Sequence, residues 1–309
     1  MDIYKEMRDI LFENGISSDS NSFGDEYFTD DIFNILKTNI RNYKGEDFNS
    51  RFRDIISDPN NLFIKRCESS GKLENDIVTL HNGIRVYNGC YYDRFSDILI
   101  LNKGVHEPSE ERAFDKVLSF MRDDSVMIEL GCYWSFYSIW FLKDVKNGKT
   151  FCIDADDDCL LSGKNNFKLN GLEGDFTKAF IGYNGLNLLD YISEKSIEYI
   201  DILHSDIQGY EFEMLNQIKP ILFESKVKYI FLSTHSNEIH KNCLNLLREC
   251  NYKILCSCDY DNESFQFDGF ILSCPEDIGE IESFDIGSRE YSILISSDRF
   301  NKILKSKND

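Results

Sequence analysis

Apolar and polar residues keep two alternating rhythms over most of the chain. The clearest is at 126–130, a short apolar run with one acid, Glu129, near its end. Gly131 follows at once, and residues 136–145 then have the apolar density of a buried helix. The same strand-then-helix rhythm recurs downstream. It predicts a strand at 148–154 and a helix at 157–170, closed by Asn170 and Gly171. Strands near 175–181 and at 199–204 follow, then a helix at 210–218 that stops before Pro220. A strand at 227–233, a helix at 237–250 and a strand at 252–257 continue the pattern. FDGFILS and residues 291–297 read as further strands, the latter as the antiparallel strand closing the sheet. Strands alternating with helices predict a largely parallel sheet covered by helices on both faces.

Upstream the texture differs. From 77 to 104 apolar and polar residues alternate, with His81-Asn82-Gly83 as a hairpin turn and residues 98–102 as one more strand. A helix near 109–121 comes next. His106 and Glu107 precede it and either line a site or form an ordinary helix entry, where acids suit the positive end. Residues 1–76 are polar and acidic: a loop at 13–27, an amphipathic helix capped by Thr29, and a second helix at 48–56 stopped by Pro59.

Composition narrows the partners. The net charge of −20, from 54 acidic and 34 basic residues, repels a phosphate backbone and an anionic membrane surface. It argues for a small-molecule partner and against nucleic acid. The ten cysteines form no C-x-x-C pair, so they read as free thiols of a reducing, cytoplasmic compartment. The first ten residues carry no apolar signal core, and the longest apolar run, 126–142, holds Glu129, Gly131 and two serines. Membrane insertion is not expected.

Candidate chemistry clusters at the predicted strand ends. A strand ending in an acid and a glycine before a helix brings backbone close to a nucleotide-like ligand. Glu129 and Gly131 supply that pattern, with Cys132, Tyr133, Trp134 and Ser135 completing the loop. Asp154 lies 25 residues after Glu129, followed by Ala155, where a carboxylate can accept both hydroxyls of a ribose. A second constellation runs from residue 200 to 211. An apolar strand delivers His204 and Asp206, Gly209 lets the chain turn, and Glu211 sits in the next helix's first turn. The third is Ser233-Thr234-His235, so Asp206 and His235 are expected to face one crevice.

These residues resemble the FkbM family of methyltransferases. DILHSDIQGYEFEML is similar to that family's strand 4 signature, with Asp206, Gly209 and Glu211 as its Asp, Gly and second Glu. The resemblance extends to MIELG, to CIDADDDCLLSGKNNFKLNG and to FLSTHS, and covers roughly residues 100–260. The chain departs from the pattern at Ser135, where the family has a second glycine, and at Asp154-Ala155, where it has Glu-Pro. It departs again at His204 for Lys and Gln208 for Glu.

The resemblance implies an α/β, Rossmann-like class I methyltransferase fold with a mostly parallel seven-stranded sheet. Residues 1–76 would form a helical N-terminal extension, 77–104 a β-hairpin lead-in, and 105–309 the core. It implies S-adenosyl-L-methionine as methyl donor and O-methylation of a hydroxyl on a small molecule or sugar, a glycan or nucleotide-sugar precursor. The donor would lie against Glu129, Gly131, Cys132, Tyr133, Trp134, Ser135, Asp154, Ala155 and Asp206. Asp206, His235 and Glu211 are the expected catalytic group, with Asp206 or His235 as base. Mg2+ at Asp206 and His235 is possible by likeness to related sugar methyltransferases, though no metal ligand set is complete in the sequence. The alternative is a catalytically inactive, methyltransferase-like binding or scaffold module. A nicotinamide dehydrogenase fits less well, because no G-x-G-x-x-G follows the first strand.

Overall fold

A computed structural model of the chain describes residues 54, 55, 58–287 and 289. The helix expected at 29–37 and the strand at 291–297 lie outside these residues. Of the helix expected at 48–56, Asp54 and Ile55 are described, and both are helical.

Three short strands, β1 (Leu73–Glu74), β2 (Ile77–Thr79) and β3 (Arg85–Tyr87), form a small antiparallel sheet. The turn at 81–83 joins β2 to β3, as the alternation predicts. The expected strand at 98–102 is instead a helix, α1 (Asp97–Leu101). A five-residue apolar run fits either element, and here the adjacent Ile98 and Leu99 are both fully buried. A strand would have sent those two neighbours to opposite faces.

After α2 (Pro108–Leu118) the main sheet begins with β4 (Val126–Leu130), α3 (Phe136–Asp144), β5 (Lys149–Asp154), α4 (Asp157–Leu169) and β6 (Asp175–Lys178). Next come α5 (Leu188–Glu194), β7 (Ile200–Ser205), α6 (Glu211–Phe223), β8 (Val227–Thr234) and α7 (Asn237–Glu249). β9 (Tyr252–Cys258) and β10 (Gly269–Pro275) close it. The strand order is β6-β5-β4-β7-β8-β10-β9, all parallel except β10, which runs antiparallel to β8 and β9. This is the class I methyltransferase arrangement. The antiparallel strand is thus the FDGFILS segment, which slots between β8 and β9.

Asp156 caps α4 by accepting from the amides of Asp158 and Cys159, and Ser236 caps α7 through the amide of Ile239. α6 runs on past Pro220 to Phe223. Proline costs the helix one backbone donor, but Ile218 and Leu222 on either side of it are fully buried. That packing carries the helix through.

Side chains on a strand alternate between faces, and this alternation decides what reaches the site. Met127, Ile202 and Phe231 pack into the core beside α2, α3 and the small sheet. Ile128, Leu203 and Ile230 pack into the core beside α5, α6 and α7. By the same parity, Glu129, His204 and Ser233 emerge at the carboxyl ends of β4, β7 and β8 on the α2 face. Glu129 pairs in register with His204, and His204 with Phe231. No helix of the described residues is long and apolar enough to cross a membrane. All ten cysteines are unpaired, eight of them buried.

Candidate active site

The strand order reverses between β4 and β7, so the loops that leave these strands diverge and open a crevice. The Asp206 amide donates to the Leu130 carbonyl at 2.9 Å, and the amides of Gly131 and Cys132 donate to the Ile153 carbonyl. Gly131 has φ +72°, and a Cβ there would lie 1.7 Å from the Asp206 carbonyl oxygen. Only glycine lets the two loops touch.

Two cavities meet at this contact. The first, of about 520 Å³, is lined by Asp154, Ala155, Asp156, Ala179, Phe180 and Tyr210 among others. The second, of about 340 Å³, is lined by Glu107, Glu129, Trp134, Asp206, His235 and Asp268 among others. Tyr92, Gly131, Tyr133, Asp206 and Gln208 line both.

Asp154 stands at the end of β5. One carboxylate oxygen accepts from the Tyr133 amide at 2.9 Å and the other from the Asp156 amide at 2.9 Å. Burial raises its carboxyl somewhat. The Tyr133 hydroxyl accepts from the Tyr92 amide at 2.7 Å, tying the small-sheet lead to the glycine loop. Trp134 is buried, stacked on Phe136 at 5.4 Å, and its edge lines the second cavity. Cys132 is buried and also lines that cavity. Ser135 lines neither cavity. It adopts the left-handed conformation, φ +60°, fully buried, and its Oγ sits where a Cβ on Gly163 would be, 2.4 Å away. The missing second glycine of the loop is therefore accommodated by a glycine in α4.

At the other wall, His235 is the hub. Its Nδ1 lies 2.9 Å from Glu211 Oε1, and its Nε2 lies 3.3 Å from Asp206 Oδ1 and 3.2 Å from Asp268 Oδ1. Glu211 is fully buried behind it and accepts from the amides of Gly209 and Ile207, so it fixes the loop as well as the imidazole. Burial works against a charge on His235. The hydrogen bonds to Asp206 and Glu211 and the charge of Asp268 outweigh it and raise the imidazole to about 11. At neutral pH His235 is an imidazolium. Ligand atoms of Asp206, His235 and Asp268 all lie within 4.8 Å of one another, a geometry that can hold a metal ion.

The floor is a second buried polar group. His204 Nε2 lies 2.6 Å from Glu110 Oε1 on α2, and Glu110 Oε2 accepts from Ser233 and Gln266. Burial pushes Glu110 up, while its partnership with Glu110 raises His204 despite burial. Glu129 accepts from the Ser138 amide, and burial pushes its carboxyl up to about 7.

The sequence-predicted residues Glu129, Gly131, Cys132, Tyr133, Trp134, Asp154, Ala155, Asp206 and His235 all line this joined space, whereas Ser135 and Glu211 stand behind it. Asp268, Glu110 and Phe267 were not foreseen. Strand parity was the available signal for the floor, since Met127/Glu129 and Ile202/His204 share it. Nothing in the sequence marks Asp268, which the 259–268 segment folds back onto His235.

A seven-stranded sheet of this order, with an acid after its second core strand and polar groups over the switch, has the class I methyltransferase fold. Residues 186–254 match the family model described as the methyltransferase FkbM domain, which bears out the family resemblance across α5 to the start of β9. The comparison with curated proteins gives no match. Solved structures with a similar chain path include a precorrin-6y C5,15-methyltransferase from Geobacter metallireducens (15% identity, 52% of this chain and 86% of that one, TM-score 0.39). A ribosomal protein L11 methylase from Lactobacillus delbrueckii is 14% identical over 56% of this chain and 81% of that one, with TM-score 0.40. TrmK from M. capricolum, solved with S-adenosyl-homocysteine, is 14% identical over 53% and 68%, with TM-score 0.39.

Proposed function

We propose that the protein transfers the methyl group of S-adenosylmethionine to a hydroxyl of a small molecule or sugar. The observation that carries this reading is the junction of the two cavities at Gly131 and Asp206. A donor with its ribose on Asp154 and its adenine beside Ala179 and Phe180 would project its sulfonium past Gly131 into the cavity that holds Asp206 and His235. The backbone of Gly131 and Cys132, the rings of Tyr133 and Trp134, and Glu129 would line its path, and Ala155 would border the ribose.

The sulfonium is a strong electrophile, so the protein has to position the acceptor and take its proton. The acceptor oxygen attacks the methyl carbon in line, the C–S bond breaks, and its electron pair stays on sulfur. His235 is already protonated at neutral pH, so the proton goes to Asp206. His235, 3.3 Å away, keeps the Asp206 carboxylate aimed, and Glu211 holds His235. Of the two bases expected from the sequence, this reading takes Asp206.

Among the described lining residues of the two cavities there is no Lys or Arg. A phosphate-bearing acceptor would meet carboxylates unopposed by long cations, which favours a free sugar or other small polyol over a nucleotide-linked precursor or nucleic acid. Tyr91, Tyr92 and Phe267 line the second cavity and would pack against the apolar side of a sugar ring.

Asp206, His235 and Asp268 would hold a divalent ion if one binds, displacing the proton from His235 Nε2 and supplying charge beside an acceptor oxygen. A donor set with an imidazole suits Mn2+, Fe2+ or Zn2+ better than Mg2+, which prefers oxygen alone.

Incubation with labelled S-adenosylmethionine and a panel of sugars and small alcohols tests the reading. Transfer to an oxygen, lost in Asp206→Asn while donor binding persists, is expected. Undiminished transfer by Asp206→Asn would remove Asp206 from the chemistry.

A further inference from the structure

Behind the second cavity runs a chain of buried ionisable groups that methyl transfer does not use. Glu111 on α2 is fully buried. Its Oε1 accepts from the amides of His106 and Glu107 at 2.8 and 2.9 Å and lies 2.7 Å from His106 Nδ1. Its Oε2 lies 3.0 Å from His81 Nε2. One carboxylate thus fixes the backbone that leads into α2 by hydrogen bonds and lies within ion-pair distance of two imidazoles. His106 turns its other nitrogen toward the cavity, 3.3 Å from Glu107 Oε2. The same Glu107 oxygen accepts from the Tyr137 hydroxyl at 2.9 Å.

Glu107 is therefore held at one oxygen by two donors, and its side chain lines the cavity at 13% exposure. Among the described residues, both of these contacts fall on Oε2 and none on Oε1. Burial favours the neutral acid, but the charge and hydrogen bond of His106 outweigh it and keep Glu107 below the ordinary carboxylate range. His106 itself is raised to about 10 by Glu107 and Glu111 in spite of burial. The other lining carboxylates differ. Glu129 is pushed toward neutrality, and Asp206 and Asp268 share the imidazolium of His235. Tyr91 and Trp134 pack edge-to-face on His106 at 5.1 and 4.8 Å and line the same cavity, so the half-satisfied carboxylate shares its wall with aromatic rings. That pairing suits a primary ammonium.

We propose that Glu107, set in place by the His106–Glu111–His81 chain, is an ammonium-binding residue of the site. Two molecules can bring that ammonium: the donor, through the α-amine of its methionine part, or an acceptor bearing an amine. Glu111 acts through His106 and the loop backbone and is a positioning residue. The proposal rests on the methyltransferase reading for its first source and stands apart from it for the second.

Calorimetry with defined probes separates the sources. In the donor arm, S-adenosylhomocysteine is compared with its desamino analogue, which keeps the carboxylate. In the acceptor arm, glucosamine is compared with glucose, with and without saturating S-adenosylhomocysteine. The expected result is a preference for the amine in one arm of about ten- to a hundredfold, the range of a charged hydrogen bond. Glu107→Gln should reduce it to within about threefold, as expected when the charged partner becomes neutral. Equal binding of amine and neutral probes by the wild-type protein in both arms overturns the proposal without any variant. A wild-type preference that survives in folded Glu107→Gln overturns the assignment to this residue. If S-adenosylhomocysteine fails to bind at all, the methyltransferase reading falls. A glucosamine preference lost in Glu107→Gln would still uphold the ammonium site.

Discussion

Gly131→Ala probes the contact on which both cavities depend. The new methyl would stand 1.7 Å from the Asp206 carbonyl oxygen and 2.7 Å from its carbon. The first distance is less than half a normal contact, and both neighbours are backbone, which no rotamer change can clear. The residue would also have to keep φ +72°. Gly83→Ala supplies the control: φ is +79° and no atom lies within 4 Å of the added Cβ. The control should cost about 1–2 kcal/mol, the left-handed penalty alone. Gly131→Ala should add the cost of overpacking, about 1–3 kcal/mol or more, as the β4 and β7 loops are forced apart. Urea unfolding reads both losses, and calorimetry reads S-adenosylhomocysteine binding. Gly83→Ala should bind like wild type, whereas Gly131→Ala should lose at least about tenfold in affinity, because a shift near 1 Å undoes aligned hydrogen bonds. Equal stabilities for the two variants, or unchanged binding by Gly131→Ala, would refute the idea that close approach of the two loops builds the site.

Other outcomes follow from the same geometry. Asp154→Asn should fold normally and lose about tenfold or more in affinity for S-adenosylhomocysteine by calorimetry, since a carboxylate's charged hydrogen bonds to the ribose are lost. Glu110→Ala leaves the buried His204 without its partner and should lower stability by about 3–5 kcal/mol in urea; a loss below about 1 kcal/mol would contradict the buried pairing. The raised imidazoles predict a pH window. His235 and His106 move from an ordinary 6.5 to about 11 and about 10, so the stability they contribute is complete below pH 6.5. It is lost as pH climbs through those raised values, and urea midpoints for wild type should fall between pH 7 and 10.5, with a smaller fall in His235→Gln. Gly163→Ala, whose methyl would meet Ser135 Oγ at 2.4 Å, should be destabilising alone and much less so beside Ser135→Gly, with a coupling of about 1 kcal/mol in a double-mutant cycle.

The core sheet was legible because β4, β5, β7 and β8 combine apolar runs with sharp helix starts at Asp156 and Ser236. The misreadings have local causes. Residues 97–101 carry an apolar run too short for periodicity to separate strand from helix, and packing of Ile98 and Leu99 decided for helix. Pro220 looked like a stop, but a helix is ended by a proline only when packing does not compensate for it. α5, the seven-residue helix Leu188–Glu194, was missed because two turns give too little pattern. The site divides in the same way. Asp154, Asp206 and His235 were visible because each ends a readable strand. Glu110 and Glu111 look like ordinary first-turn acids of a solvated helix, yet both are fully buried. Their partners, His204 and His81, lie far off in the chain, 94 residues away in the first case. Long-range pairing of this kind leaves no local trace.

The central claim is a donor site at the β4–β7 junction. Calorimetric titration of the full chain with S-adenosylhomocysteine, with and without Mn2+, tests it most directly. The account predicts saturable binding of one molecule per chain, weakened by Asp154→Asn. No binding under either condition, by protein that still unfolds cooperatively, would contradict it.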